Sequence, residues 1–189
     1  MATTKIKFRP SSVADKEGTL FFQVIHKREV RQVSTTYKVF PHEWDAVRQE
    51  IVMPPCKLRK KYLLALQDAL MKNAIRLRII ILSLTQQQSA YTAEDIVQRF
   101  LNRENTSEFE AFAGNIIQTI GAADSATGAA AINQRISEER AGYISAQLIA
   151  LGMSADNIQQ QALGGIEEFT PVANNRYCKI QLIPLSTSA

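Results

Sequence analysis

Apolar and polar residues alternate with a period of two through the first part of the chain, then switch to helical spacing after the Pro54-Pro55 pair. The alternation starts with a short run at Lys5–Arg9, crosses a polar loop at Pro10–Gly18, and resumes in two β-rich runs, Thr19–His26 and Glu29–Val39, joined tightly at Lys27-Arg28. In the second run Leu20, Phe22, Val24 and His26 fall on one face and Phe21, Gln23 and Ile25 on the other, which predicts an antiparallel sheet packed on a helix. The third run sends Arg31, Val33, Thr35 and Tyr37 to one side and Val30, Gln32, Ser34 and Thr36 to the other. Neither side is wholly apolar, so this strand is expected to present hydroxyls and cations to a partner.

Beyond the sheet, the stretch "FPHEWD" reads as a single helical turn begun at Pro41, with Phe40 and Trp44 closing the end of the sheet and Trp44 in the core. A long amphipathic helix is predicted from about Lys57 to Leu84. Its apolar side runs through Leu58, Tyr62, Leu66, Leu70, Leu77, Ile81 and Leu84, and its other side carries Arg59, Lys60, Lys61, Lys72, Arg76 and Arg78. After "TQQQSAY", Thr92 is placed to cap a second helix with acids in its first turn and Arg99 and Arg103 in its last. A third helix is expected from about Ser107. Past Ile120 the composition turns to Gly and Ala, and a further helix runs to Leu151, stopped by Gly152. "MSADNIQQQALGG" reads as a loop leading into a strand and "NRYCKIQLIP" as the closing strand. The expected class is α+β: a small three-stranded antiparallel sheet with a helix, then helices, then a partial α/β sandwich of two or three strands. The expected divisions are 1–56, 57–115 and 116–189.

The formal net charge of +4 conceals a polarity along the chain. Residues 1–104 carry 18 Lys and Arg against 10 Asp and Glu, a net +8, whereas residues 105–189 carry 4 against 8, a net −4. A basic front half suits a polyanion, because phosphates neutralised by cations release condensed counterions. The alternative is a solvated basic face that keeps the sheet edge from aggregating. At 46% apolar content the chain can bury a core, and no stretch approaches the length of a membrane span or the apolar core of an export signal. A cytoplasmic location is therefore expected. Cys56 and Cys178 have no partner at ligand spacing and are expected to be buried or inert, so no metal or other cofactor is anticipated.

From residue 4 to about 113 the chain resembles the N-terminal part of tyrosine-type site-specific recombinases of the Bacteroidetes phage and transposon integrase group. The resemblance lies in "KIKFRPSSVADKEGTLFFQVIHKREVRQVSTTYKVFPHEWD", "YLLALQDALMKNAIRLRIIILSL", "YTAEDIVQRFLNR" and the start of "SEFEAFAGNII". It implies an arm-type DNA-binding sheet that enters the major groove of double-stranded DNA, followed by the opening of a helical core-binding domain. The residues expected to contact DNA are Lys27, Arg28 and Arg31 near the hairpin and Ser34, Thr35, Thr36 and Lys38 further along. That family cleaves DNA with an Arg, Lys, His-x-x-Arg and Tyr set. This chain has only two histidines, in "HKRE" and "HEWD", and Tyr177 in "NNRYCK" reads as an ordinary strand residue, so the chain is not expected to be an enzyme. A full-length recombinase is a possible partner.

From about Ile116 to Pro184 the chain resembles the later two-thirds of an outer-membrane-protein-A-like domain, through "GAADSATGAAAINQRISEERAGYISAQLIALGMSADNIQ", "ALGG" and "NRYCKIQL". That resemblance implies an alternative function, peptidoglycan binding. Asp124 and Arg140 would grip the ammonium and carboxylate of diaminopimelate, with Asn133 and Ser137 supporting the turn between them. Ala122-Ala123 stands where the family has an aromatic or His, and the family's first strand and helix have no clear counterpart. The residues alone also allow Arg140 a simpler role, as ion-pair partner of Glu138 or Asp124.

Overall fold

The computed structural model describes residues 1–87, 90–102 and 115–184. The protein is α+β and divides into two compact units, Met1–Asn105 and Thr106–Ala189. The helix expected from Ser107 and the last-turn Arg103 lie outside the described residues.

In the first unit β1 (Thr3–Arg9), β2 (Gly18–His26) and β3 (Glu29–Val39) form an antiparallel sheet with β2 in the middle. The alternation in β2 is met without exception: Leu20, Phe22, Val24 and His26 are all buried. Leu20, Phe22 and Val24 pack with Val33 and Val39 of β3 against α1 (Lys57–Gln86) and α2 (Ala93–Leu101) in one apolar cluster, and the His26 ring stacks on Tyr91. Each large side chain moved from water into this cluster contributes roughly 1.5–3 kcal/mol before entropy is counted. Because sheet and helices share this core, residues 57–102 complete the fold of the residues before them.

Trp44 is in the core, on a two-residue ribbon formed by β4 (Trp44–Asp45) and β5 (Glu50–Ile51). The turn before it, Pro41–Glu43, is closed by the buried Glu43 carboxylate, which accepts from Phe40 N at 2.8 Å. The same carboxylate accepts from Arg59 at 2.7 and 2.6 Å, and Arg59 also reaches Glu17 at 2.7 Å. The Arg59 side-chain hydrogen bonds and charge hold the Glu43 carboxyl below its ordinary value.

The long helix departs from a single apolar stripe at both ends. Leu58 is exposed and the buried row starts at Leu63, whereas Ile79–Leu84 is buried at every position. Arg59, expected on the solvated side, is committed to its two carboxylates. In α2 the Thr92 hydroxyl accepts from Asp95 N at 3.2 Å while Asp95 accepts from Thr92 N at 2.8 Å, the reciprocal cap that "TAED" encodes.

The second unit is a βαβ motif with one added strand: β6 (Asn115–Asp124), α3 (Ala130–Ala150), β7 (Ile158–Ile166) and β8 (Tyr177–Pro184). β6 is central, parallel to β7 and antiparallel to β8. The stretch read as a loop, "IQQQALGG", is the strand β7, whose glutamines lie at an exposed sheet edge where period-two burial leaves little trace. Gly121 lets α3 lie close on β6, since a Cβ there would fall 2.0 Å from Ser137 O. Ser137 and Ser145, both buried, tie the helix down: Gly164 N donates to Ser137 Oγ at 3.0 Å, and Ser145 Oγ lies 2.8 Å from Thr119 Oγ1. Both cysteines are exposed, so of the two expected alternatives, buried or inert, burial does not hold: Cys56 immediately precedes α1 and Cys178 lies on β8.

Candidate functional site

One face of the first sheet is the core. The other is open, and the strand register assigns its residues. β1 contributes Thr3, Lys5, Lys7 and Arg9; β2 contributes Thr19, Phe21, Gln23 and Ile25; β3 contributes Val30, Gln32, Ser34, Thr36 and Lys38. Four of these are cations, six carry a hydroxyl or an amide, and none is a carboxylate. The nearest strand carboxylate, Glu29, starts β3 on the core side, opposite His26.

The cations of β1 are held in register with the centre of the face. Lys5 pairs with Gln23, Lys7 with Phe21, and Arg9 with Thr19. The Arg9 guanidinium lies 5.1 Å from the centroid of the Phe21 ring and donates to Gln32 Oε1 at 2.8 Å, so the side chain reaches from β1 over β2 to β3. On the core side Gly18 lets the end of β1 lie close on β2, because a Cβ there would fall 2.4 Å from Arg9 O and 2.5 Å from the Phe8 ring. Lys5, Lys7 and Arg9 were absent from the residues singled out in the sequence. The signal was present in the "TKIKFR" alternation, which puts every cation of the strand on one side.

The sequence-expected DNA contacts separate into three groups. Ser34, Thr36 and Lys38 lie on the open face. Lys27 and Arg28 form the two-residue hairpin tip with φ of 45° and 71°, a left-handed pair that glycine and asparagine adopt more readily. Arg31 and Thr35 face the other way. Arg31 ion-pairs with Glu94 of α2 at 2.9 Å, and the Thr35 hydroxyl donates to Leu20 O and accepts from Tyr37 N at 3.1 Å, closing a bulge where three residues of β3 oppose Leu20.

In the second unit Asp124, Asn133 and Arg140 line one cavity of about 460 Å³ at the C-terminal end of β6 and the N-terminal end of α3. The pairing differs from both readings of the sequence. Arg140 donates to Ala122 O and forms no ion pair with Glu138 or Asp124 among the described residues. The buried Asp124 carboxylate instead accepts from Arg176 and from Thr127 Oγ1 at 2.7 Å. The Thr127 hydroxyl and the Arg176 guanidinium hold its carboxyl below the ordinary value. Arg176 reaches the site because buried Asn175 fixes the preceding turn, accepting from Phe169 N at 2.8 Å and donating to Phe169 O at 2.9 Å. Sequence reading passed over Arg176, although it is one of only four cations after residue 104.

Among the described residues no cluster of His, Cys, Asp and Glu could hold a metal ion, and no helix is long and apolar enough to cross a membrane. No protein-family model matches the chain and no curated protein matches it.

Proposed function

We propose that the first unit binds double-stranded DNA through the open face and hairpin tip of its three-stranded sheet, as the arm-binding module of a site-specific recombinase or integrase of mobile DNA. The observation that carries this reading is the composition of that face: Lys5, Lys7, Arg9 and Lys38, interleaved with Ser, Thr and Gln, with no carboxylate among them. A three-stranded face of this kind fits the major groove, where lysines and arginines meet phosphates and guanine edges and short hydroxyls and amides reach the remaining acceptors. A merely solubilising surface has no need to exclude acids, since mixed signs serve solubility as well. Binding carries no strand cleavage in this reading, and a full-length recombinase would be the partner that shares its sites.

The test is a gel shift of the whole chain on random duplex with paired variants. Lys7→Glu, on the open face, is expected to abolish the shift, whereas Arg31→Ala, on the opposite face, leaves it within about twofold. Equal loss in both variants contradicts the assignment of the face.

A second reading applies to the second unit, favoured by the meeting of Asp124, Asn133 and Arg140 in one cavity. In it the cavity holds a peptidoglycan stem peptide by its diaminopimelate. Retention on purified sacculi that is lost in Arg140→Ala supports it; equal retention of both proteins removes it.

A further inference from the structure

A polar pocket lies at the side of the first sheet rather than on its open face. β3 is an outer strand, and a cavity of about 200 Å³ opens between it and the two helices. Every residue of its lining is neutral except Arg76 of α1, and none is a carboxylate. The Arg76 guanidinium lies 5.0 Å from the centroid of the Phe100 ring. Its one acceptor among the described residues, Asn102 O, is 3.4 Å away, at the long end of hydrogen-bonding distance. Arg31 and Arg59 are tied to carboxylates, whereas Arg76 forms no ion pair among the described residues. The Phe100 ring therefore holds the group in position without neutralising it.

Hydroxyl groups surround that charge. Ser34 and Thr36 are exposed at the rim of the pocket, on the side of the open face. Tyr37 Oη accepts from Asn73 Nδ2 at 2.8 Å, which leaves the phenolic hydrogen to donate elsewhere. Several hydroxyl donors around one guanidinium suit an oxyanion with more than one oxygen. The place of the pocket in the fold says which oxyanion. A three-stranded sheet sets its outer strands about 9.5 Å apart, close to the width of about 12 Å of the major groove. A sheet seated in that groove with its strands along it therefore brings β3 against one sugar–phosphate backbone.

We propose that this pocket seats a phosphodiester group of the DNA backbone, with Arg76 carrying the charge contact and the Ser34, Thr36 and Tyr37 hydroxyls donating to the phosphoryl oxygens. The site rests on the reading of the open face as a DNA-binding surface, and it adds a contact from α1 at the flank of the sheet. Because it touches no base, it sets how the sheet sits in the groove without choosing a sequence.

The test is the affinity of the whole chain for random duplex, followed by fluorescence anisotropy through a salt series. Arg76→Gln is expected to weaken binding about tenfold at about 50 mM salt and to lower the slope of log affinity against log salt by about one. Arg31→Ala should stay within about twofold at an unchanged slope. Trp44 fluorescence reports whether each variant is folded. In the unmodified chain, the Arg76 Nε–H signal in nuclear magnetic resonance should move as duplex is added, while that of Arg59, held by two carboxylates, stays in place. Failure of the unmodified chain to bind duplex removes the DNA reading and this site with it. Binding with an unchanged slope in folded Arg76→Gln, or with an Arg76 signal that does not move, overturns the site alone and leaves the open face as the DNA surface.

Discussion

At the scale of single residues, the first unit depends on a carboxylate taken out of water. Glu43 is buried and shares Arg59 with Glu17, so its removal strips Arg59 of two of its three carboxylate hydrogen bonds and Phe40 N of its acceptor. Glu43→Ala is therefore expected to destabilise the first unit by about 3 kcal/mol, read from the fluorescence of Trp44, the only tryptophan in the chain. The sign of the pH dependence follows from the depressed carboxyl. Its contribution is complete above the ordinary value of 4.5 and is lost as pH falls through the lower folded value, so the acid unfolding limb should become shallower in the variant. The hairpin tip shows the opposite balance. Lys27 and Arg28 sit at positive φ, which costs roughly 1 kcal/mol or more per residue relative to Asn-Gly. Replacing them by Asn-Gly should raise the midpoint of unfolding and lower DNA affinity together; a variant that gains stability and keeps full affinity would separate the tip from binding. Local chemistry of this kind was visible in the sequence where neighbours decide it, as at the Thr92 cap. It was invisible where partners are distant, as with Arg31 and Glu94 or Arg176 and Asp124, because nothing in a local pattern brings such pairs together.

At the scale of elements, period-two alternation assigned the buried face of β2 residue by residue, since a sheet packed on one side allows no slip of register. The same rule applied to β1 finds the row of Lys5, Lys7 and Arg9, three cations in seven residues, whereas β3 has two cations in eleven, one of them, Arg31, paired to α2. The helix was placed within two residues of its observed ends, but its first buried residue was missed, because Leu58 is apolar without being covered. β7 begins inside the stretch read as the loop before a strand, because an edge strand needs no apolar alternation. Two glycines carry close approaches that no pattern predicts. Gly18→Ala would drive a methyl into the Phe8 ring and Arg9 O, and is expected to loosen the end of β1 and speed amide exchange there. Gly121→Ala would force α3 off β6, costing about 3 kcal/mol or more and raising exchange throughout β6.

At the scale of the whole molecule, the chain joins two compact units of opposite charge, each with its own sheet. Composition made that polarity legible before any element was assigned, and the change near residue 105 coincides with the division between the units. What composition could not supply was the distribution of charge around the first sheet, which depends on the register of three strands. The central claim rests on that distribution, and the salt dependence of DNA affinity tests it most directly. Four cations on the open face and two at the hairpin tip could meet phosphates. The logarithm of the association constant for random duplex should then fall against the logarithm of salt with a slope between about −3.5 and −5.5, and Lys5→Ala and Lys7→Ala should each reduce that slope by about one. A slope near zero, or one unchanged by both substitutions, would contradict the account.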